Sequence, residues 1–400
     1  MPRYFPQTNI NVVNSITSQA PPQASHTWLS IPCTNQANWG SLVLLDCKET
    51  NILIHEAIVV YNLSSITGYT GTSTYAPRLC PAFNFAQKTE LVFGNNSIDT
   101  IMGVQNQINN NIWQNDENRL FINNAAGNYA SQLQRYNMGQ TTSTYYSPLY
   151  GIINQLAFMP LSSTHNFTIK LYLDTLVNLI EKGTLTGTGN VTINGISLLL
   201  RISKIPQQMA QMKLEKLRIS NNVATYNSTV TQQFTVNSGL LQSTTILASL
   251  SNSDIQWLYF VVRPINLAIT GDLIQTFQNV VSNFYIIGSD GQNITSGSPV
   301  SSSFALNTIA RESTLGTYCQ ETAFGSVDNK CNVYMWFFNI DAVATSKDGI
   351  ERGKKRFTGS ESIVINYTTA LAYNYQIDVF ASATAIFSQS LTECKKLAIV

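Results

Sequence analysis

The 400-residue sequence contains little charge. Asp, Glu, Lys and Arg together make up 11% of the chain, whereas about 25% is typical of soluble domains. Neutral polar side chains must therefore cover most of the surface, and they provide little long-range repulsion between copies. A freely diffusing enzyme with such a surface would tend to self-associate, so the composition favours a protein that packs against other molecules.

The chain also lacks a basic arm. Its formal net charge is +1, and binding to phosphates would need more neutralising charge. We therefore expect no sequence-specific nucleic acid as a partner and interpret the densest basic run as a solvated loop. Basic residues concentrate only in that run and near the end of the sequence, at Arg352, Lys354, Lys355, Arg356, Lys395 and Lys396.

No long apolar segment is present. None approaches the ~20 residues that a membrane-spanning helix requires. The opening residues Met1–Pro6 contain no apolar stretch of the kind found in secretory signals. We therefore expect synthesis without a signal peptide.

The six cysteines and three histidines are not spaced as metal ligands. No CxxC motif occurs, and no histidine lies near a cysteine at metal-ligand spacing. We expect free buried thiols, with a bridge between Cys319 and Cys331 left open. Because His26, His55 and His165 are dispersed along the chain, we predict neither a histidine-based metal site nor a catalytic triad.

The motifs of common catalytic sites fail on spacing. A nucleophile elbow needs Gly-x-Ser-x-Gly, which the segments starting at Gly195 and Gly359 do not provide. A phosphate-binding loop needs four residues between its glycines, but Gly349–Lys354 has three. His55 is not followed by a histidine four residues later, as a metalloprotease helix would require.

Carboxylates and aromatic residues give no clear site either. Asp174, Asp341 and Asp378 fall on predicted strands, and a glycosidase pair among them is left open because sequence does not give spatial distance. The aromatic clusters around Trp257 and Trp336 lie among apolar neighbours, which favours core packing. We therefore predict no catalytic, cofactor-binding or metal-binding residues and no cofactor.

Alternation with a period of two is the dominant structural pattern. In the clearest segment, the apolar residues Phe167, Ile169, Leu171 and Leu173 share one face. Ten segments are predicted to be strands: Leu42–Leu45, Ile52–Leu63, Glu90–Phe93, Asn166–Asp174, Ile196–Ile202, Gln256–Val262, Phe284–Ile287, Val333–Phe338, Ser362–Tyr367 and Tyr375–Ala381.

One helix is predicted near the middle of the chain, at Pro206–Leu217, where proline suits the first turn. About 165 strand-rich residues lie on each side of it, as in two sandwiches joined by a short connector. A helix within Ser97–Asn111 is disfavoured by three consecutive asparagines. Long loops are predicted at Met102–Tyr145, Leu185–Gly195 and Ser289–Asn332.

We expect five parts along the chain. They are an irregular N-terminal arm (1–39), a first sandwich (40–205), a helical linker (206–221), a second sandwich (222–390) and a C-terminal tail (391–400).

The order of several segments resembles that of the double jelly-roll major capsid proteins of tectiviruses, adenoviruses, virophages, Polinton-like viruses and large nucleocytoplasmic DNA viruses. No single invariant motif carries the resemblance, which spans roughly residues 40–390. The similar segments are Pro81–Gly94, Ile98–Ile101, Tyr146–Leu149, Met159–Leu161, Asn166–Leu173, Ile196–Ile205, Gln207–Leu217, Trp257–Pro264, Phe357–Ile365 and Tyr375–Phe380.

The resemblance implies an all-β fold of two tandem eight-stranded jelly-roll sandwiches with a linking helix and long loops. It implies a virion protein whose homotrimers are pseudo-hexagonal and tile an icosahedral shell. The implied partners are other copies of the chain, minor capsid or penton proteins, and an inner membrane.

Two other functions are weighed against this one. In a carbohydrate-binding or spike protein of a virion or cell surface, Trp113, Tyr145 and Tyr146 would contact sugar. A secreted β-sandwich hydrolase is the second alternative, although neither a signal peptide nor a carboxylate motif supports it.

Overall fold

The computed structural model describes residues 26–113, 116–128, 131–156, 160–161, 165–265, 278, 280–295, 300–301, 333–338 and 355–399. Within these ranges the chain is built mainly of antiparallel strands, so the all-β prediction is confirmed. In chain order the strands are β1 (His26–Pro32), β2 (Leu42–Cys47), β3 (Ile52–Leu63), β4 (Thr67–Thr70), β5 (Arg78–Leu79), β6 (Ala86–Phe93), β7 (Asn96–Met102), β8 (Ser143–Pro148), β9 (Phe167–Leu173), β10 (Ile180–Glu181), β11 (Thr186–Asn190), β12 (Ile193–Lys204), β13 (Asn222–Val236), β14 (Gln242–Ile246), β15 (Ser253–Pro264), β16 (Val281–Ile287), β17 (Val300–Ser301), β18 (Val333–Phe337), β19 (Lys355–Phe357), β20 (Ser362–Tyr367), β21 (Tyr375–Gln389) and β22 (Cys394–Ile399).

Five α-helices lie between strands in the described part of the chain. They are α1 (Gly103–Trp113), α2 (Asp116–Ala125), α3 (Gln132–Gly139), α4 (Leu176–Leu179) and α5 (Gln207–Ile219). Short 3-10 turns lie at Ala82–Asn84, Ile152–Asn154 and Ala248–Leu250. The helix α5 confirms the helix predicted in mid-chain.

The residues before α5 form two four-stranded sheets, ordered β1-β12-β3-β8 and β2-β9-β6-β7. Their inward side chains share one core, in which Val59 and Leu198 from one sheet join Leu91 and Ile169 from the other. This burial explains the period-two pattern, because alternate residues of each strand point into the core. Two small two-stranded sheets, β4 with β11 and β5 with β10, extend this half.

The residues after α5 form a second pair of sheets. One has the order β13-β21-β15-β18, with β19 added on β15 and β22 on β21, and the other has the order β14-β20-β16-β17. Their core is rich in aromatic rings. The Phe260 ring lies 5.0 Å from Phe284, edge to face, and 5.0 Å from Tyr334, stacked. The aromatic strand segments thus pack in the core, as the sequence predicted.

All ten predicted strand segments fall on observed strands, and Ile52–Leu63 and Ser362–Tyr367 match without change. One stretch expected to be irregular was predicted wrongly. Residues 26–32 of the expected arm form β1, which pairs with β12 along its length and packs Leu29 and Ile31 against the core. The expected C-terminal tail contains β22, which pairs with β21.

Two of the three predicted long loops also need correction. Met102–Tyr145 contains the helices α1, α2 and α3, and Leu185–Gly195 contains β11 and the start of β12. The third, Ser289–Asn332, lies mostly outside the described residues. Sequence alone favoured a loop at 102–145 because asparagine competes with helical hydrogen bonds in water.

In α1 those asparagines are removed from water. The described side chains of its first eight residues are largely buried, with Asn106 and Asn110 only 2% and 1% exposed. Asn106 Nδ2 donates to the Pro148 carbonyl at 2.8 Å, and Asn106 Oδ1 accepts the Tyr150 N–H at 2.9 Å. Tertiary hydrogen bonds therefore hold the amide and override its weak helical preference.

Close packing also fixes where α1 begins. A Cβ atom on Gly103 would lie 2.5 Å from the Ala86 carbonyl oxygen and 2.8 Å from that of Phe83. Both contacts are with backbone and cannot relax through a rotamer change. Glycine at this position lets the start of the helix approach the first residue of β6.

A buried ion cluster ties α3 to the small sheet of β5 and β10. Arg78 faces Glu181 across the two strands, and its Nε donates to Glu181 Oε2 at 2.6 Å while its Nη2 contacts Oε1. Arg135 of α3 approaches the same carboxylate, with Nη2 3.6 Å from Oε2. One carboxylate thus contacts two buried guanidinium groups and balances only part of their charge. Loss of any one of the three side chains would leave this buried charge less well balanced.

We predict that Asn106→Ala lowers the free energy of unfolding by about 2–4 kcal/mol, because the Tyr150 N–H and the Pro148 carbonyl would lose their partner inside the protein. Urea unfolding followed by circular dichroism measures the change. The matched control is Asn137→Ala on α3, where the side chain is exposed and alanine should be neutral or slightly stabilising. Equal stability of Asn106→Ala and the parent chain would contradict this role.

Candidate functional site

The second sandwich packs directly on the first through a seam formed by β13, β21 and β22. The core of the first half includes five side chains from these strands, namely Ala224, Tyr226, Ala385, Phe387 and Cys394. The Phe387 ring lies 6.2 Å from the Phe93 ring at the end of β6. Apolar side chains of the second half are therefore part of the core of the first half.

Hydrogen bonds fix the alignment of this seam. Gln155 and Asn227 bond reciprocally, with Nε2 of Gln155 2.8 Å from the Asn227 carbonyl and the Asn227 N–H 2.7 Å from Oε1. The Tyr226 hydroxyl donates to the Ile98 carbonyl at 2.7 Å. Farther along, Asn96 Nδ2 donates to the Cys394 carbonyl of β22 at 2.8 Å.

His165 joins the same seam, just before β9. Its Nε2 lies 2.8 Å from the Ser390 carbonyl, so this nitrogen carries the proton. Burial lowers the pKa of His165, which the bond to Ser390 only partly offsets. The neutral ring therefore has a structural role, linking the start of β9 to the turn before β22.

A buried carboxylate and a lysine lie at the centre of the seam. Asp99 Oδ2 accepts the Ile152 N–H at 2.9 Å and Oδ1 accepts the Thr100 N–H at 3.0 Å. Burial raises the pKa of Asp99 to about 6, and these bonds and the nearby Lys396 oppose the rise. Burial also lowers the pKa of Lys396, whose Nζ donates to Ser228 Oγ at 2.7 Å.

The helix α1 lies beside a polar cavity between the two halves. The cavity has a volume of about 270 Å³ and is lined by Gln87, Asp174 and Asn178 from the first half and by Gln233, Arg263 and Gln376 from the second, among others. Across this region the Tyr259 hydroxyl of β15 donates to Asn109 Oδ1 at 3.2 Å. The helix thus contacts both halves of the chain.

Two of the aspartates that the sequence left open as a glycosidase pair lie in this region. Asp174 Oδ1 accepts Gln87 Nε2 and Asn178 Nδ2, at 2.7 and 2.8 Å. Asp378 is fully buried behind the lining side chains. Its Oδ2 contacts Arg263 Nε, and its Oδ1 accepts amide groups of Gln233 and Gln376 at 2.7 Å each. Each carboxylate accepts hydrogen bonds from neighbouring side chains, as expected of a residue with a structural role. Asp341 lies outside the described residues.

Two consecutive strands of the second sandwich contain no charged residue. No Asp, Glu, Lys or Arg occurs from residue 219 to residue 253, which includes β13 and β14. Both strands are at the ends of their sheets, and Gln232 Nε2 of β13 donates to the Ile246 carbonyl of β14 at 2.6 Å. We call β13 and β14 with the turn between them the neutral edge.

Apolar side chains project from the neutral edge. Leu241 is 62% exposed and Ile246 is 57% exposed. Exposed edge strands are usually protected by lysine or other charges, because they can pair with another chain. The sequence analysis missed this surface, although the long uncharged run could have indicated it.

The structure brings together two of the three histidines that are dispersed along the sequence. His26 and His55 lie at a ring separation of 4.9 Å, edge to face. The interpretation of His55 as a histidine on a strand is confirmed. Sequence spacing could not show the pairing, because β12 lies between β1 and β3 in the sheet.

The remaining candidate residues have structural positions. Tyr145 is buried on β8 with its ring 5.4 Å from Phe85, so it is not placed to contact sugar as the carbohydrate hypothesis required. Tyr146 is partly exposed, and the Trp113 side chain lies outside the described positions. In the turn at Gly359, the Glu361 carboxylate accepts backbone N–H groups of Thr358 and Gly359.

Four cysteines fall within the described residues, and all four are free thiols, with Cys47, Cys80 and Cys394 buried and Cys33 partly exposed. Cys319, Cys331 and the segment Gly349–Lys354 lie outside the described ranges. Among the described residues, no three or more His, Cys, Asp or Glu side chains are grouped to hold a metal ion. None of the helices described here is long and apolar enough to cross a membrane.

We predict a pH-dependent stability difference from Asp99. Because its folded pKa lies above the usual value near 4, the folded state holds this proton more tightly than the unfolded chain does. Its stabilising contribution is full below about pH 4, falls as the pH rises to about 6 and then stays constant, a loss on the order of 2–3 kcal/mol.

Urea unfolding of the parent chain and of Asp99→Asn at several pH values between 4 and 7 measures this contribution. The stability of the parent relative to the variant should fall over that range while the urea m values stay equal. Parallel stability profiles of the two proteins would contradict the assignment.

No protein-family model matches the sequence, and no curated protein is significantly similar to it. Solved structures do match the fold. A chain of the PBCV-1 virus capsid has a TM-score of 0.62 at 14% identity, over 94% of this chain and 98% of that chain. The Faustovirus major capsid protein has a TM-score of 0.64 at 8% identity, over 92% and 91% of the two chains.

The mavirus major capsid protein has a TM-score of 0.52 at 10% identity, over 94% of this chain and 90% of that one. At such low identities the likeness concerns the path of the backbone and not individual side chains. It extends over more than nine-tenths of this chain. The chain therefore has the double jelly-roll fold found in viral major capsid proteins.

Proposed function

We propose that the protein is a major capsid protein whose homotrimers form pseudo-hexameric capsomers and tile an icosahedral viral shell. The main observation in support is that the shared double jelly-roll fold covers more than nine-tenths of this chain and of the Faustovirus major capsid protein. A fold alone does not determine function. Two features of this chain, the seam and the neutral edge, support the proposal independently.

The seam supports it because a capsomer needs the two sandwiches of each chain at a fixed angle. Three copies of a rigid pair present six similar units around one axis, which gives a pseudo-hexagonal outline. A flexible linker between the sandwiches would not hold this geometry. The shared core and the reciprocal bonds between Gln155 and Asn227 meet this requirement.

The neutral edge supports it as a surface for contact between copies. Obligate interfaces are more apolar than other surfaces and are depleted in charge. The neutral edge combines exposed Leu241 and Ile246 with open strand backbone and no charged group. We propose that it is covered by a neighbouring copy of the chain within the trimer.

We propose a role in the virion without enzymatic activity. The proposed partners are further copies of the chain, minor capsid or penton proteins, and an inner membrane. We retain the division into an arm (1–39), a first jelly roll (40–205), a linker (206–221), a second jelly roll (222–390) and a tail (391–400). In this proposal the arm contributes β1 to the first jelly roll and the tail contributes β22 to the second.

We predict that the purified, tag-free chain forms stable trimers. Analytical ultracentrifugation should give a three-chain mass, and negative-stain electron microscopy should show particles with a hexagonal outline. At higher concentration these particles should form flat or curved arrays. A folded protein that remains monomeric at all accessible concentrations would overturn the proposal.

We predict that Leu241→Lys and Ile246→Lys, singly and together, shift the equilibrium from trimer to monomer. A buried lysine without a partner is costly at an interface, whereas each side chain is exposed in the single chain. The monomeric variants should therefore remain folded by circular dichroism, as expected for surface substitutions, while their thermal midpoint loses only the stabilisation that trimer formation gives the parent. Sedimentation at several concentrations measures the shift.

The matched control is Thr188→Lys, which adds the same charge at an exposed position on β11. It should leave the trimer intact if contact between copies occurs at the neutral edge. Trimers that persist unchanged in the double variant would place the contact elsewhere on the chain.

A further inference from the structure

Three polar side chains form a row across the first sheet. His26 on β1 is paired with Ser203 on β12, and His55 on β3 reaches the same serine from the other side. His55 Nε2 lies 2.8 Å from Ser203 Oγ, and His26 Nδ1 lies 3.1 Å from it. Two imidazole nitrogens on non-adjacent strands are thus directed at one point.

A β-bulge places His55 in this row. In the pairing of β3 with β12, Glu56 faces Arg201 and Ile54 faces Ile202, so His55 is the extra residue of the bulged strand β3. A bulge of this type turns a side chain out of its regular alternation, and bulges of this kind are common beside functional sites. Without it, His55 would follow the alternation set by its neighbours.

Hydrogen bonding in this row requires the two rings to take different roles. The Ser203 hydroxyl can donate to only one ring nitrogen, so the other ring must carry its proton on the nitrogen that faces the serine. Two nitrogen lone pairs directed at one point can instead be shared by a metal ion. Imidazole nitrogens are preferred ligands of Zn²⁺, Ni²⁺ and Cu²⁺, whereas Mg²⁺ and Ca²⁺ prefer oxygen.

We propose that His26 and His55 form a binding site for a divalent transition-metal ion, which links β1 to β3 across β12. The two imidazole nitrogens are the protein ligands, and Ser203 Oγ or water completes the coordination. The site does not depend on the proposed capsid role.

Charged side chains also lie beside the row, namely Arg201 on β12 and Glu56 on β3. Arg201 would repel a cation, but its guanidinium is paired with Glu56, with Nε 3.2 Å from Oε2. The local charge is therefore partly balanced before an ion binds.

Ion binding would affect the edge of the first sheet. Among the described strands, β1 pairs only with β12 at the end of the sheet, and His26 is its first residue. An ion shared with β3 would fasten this end and reduce fraying of the strand. The expected consequence is slower amide exchange in residues 27–32 when the ion is bound.

Isothermal titration calorimetry of the tag-free full chain, first stripped with a chelator, tests the site with NiCl₂ and ZnCl₂. We expect one ion per chain, no binding of MgCl₂, and a rise in the thermal midpoint with excess Ni²⁺. His26→Gln and His55→Gln should each weaken Ni²⁺ binding by about tenfold or more, because a site with two protein ligands cannot lose one without a large loss of affinity.

His165→Gln is the matched control, since His165 is the remaining histidine of the chain and lies in the seam. It should bind Ni²⁺ like the parent chain. Cys33→Ser is a second control, because Cys33 is a partly exposed thiol and thiolates also bind these metals. Circular dichroism without metal checks that each variant folds, and His26→Gln is the decisive one because His26 is exposed.

The proposal is overturned if the parent chain binds no Ni²⁺ or Zn²⁺ at millimolar concentration. It is also overturned if folded His26→Gln binds Ni²⁺ as tightly as the parent, or if Cys33→Ser alone abolishes binding. Hydrogen exchange gives an independent readout, since protection of residues 27–32 should increase with Ni²⁺ in the parent chain and not in His26→Gln. Trimer formation is measured separately, so either proposal can fail without the other.

Discussion

The helix α1 is a polar element inside the protein, and its buried amides constrain how the two sandwiches meet. A buried amide without a partner costs about 1–3 kcal/mol, so the side chains of α1 require specific neighbours. Asn106 finds them on the first half, at Pro148 and Tyr150, and Asn109 accepts the Tyr259 hydroxyl of the second half. Sliding one sandwich against the other would break bonds on both sides of the helix.

The apolar part of the seam acts with this helix. Hydrophobic packing alone is non-directional, and the contact of Phe93 with Phe387 would tolerate small rotations. The hydrogen bonds from Asn227 and Tyr226 to the first half do not tolerate such rotations, because a hydrogen bond requires a limited range of distances and angles. Packing thus supplies most of the free energy of the seam and hydrogen bonds supply its alignment. A chain with two sandwiches becomes one rigid unit only when both are present.

The sequence predicted strands well because alternation reports burial on one face, and the first sandwich buries one face of each strand. It failed where tertiary contacts override local preference. The asparagines of α1 weaken an isolated helix, and only the neighbouring strands make that helix stable. β1 was missed because only Leu29 and Ile31 of its seven residues are partly buried against the core. Two such positions are too few to give a clear period-two pattern.

The paired histidines and the neutral edge were missed for a different reason. His26 and His55 are joined by the order of strands in a sheet and by a single bulge, neither of which sequence spacing encodes. The neutral edge is visible in the sequence as an uncharged run from 219 to 253. Its meaning depends on knowing that β13 and β14 are end strands, because an uncharged central strand would need no explanation.

An uncharged edge is a hazard unless something covers it. Open strand backbone and exposed leucine can pair with any similar edge, which leads to open-ended aggregation. Closed symmetry removes this hazard, because each edge in a ring is covered by the next copy and no edge remains. The low charge of the whole chain makes such closure more necessary, since little electrostatic repulsion keeps the copies apart. A composition that leaves a free monomer prone to association therefore agrees with the proposed packing of the chain against its own copies.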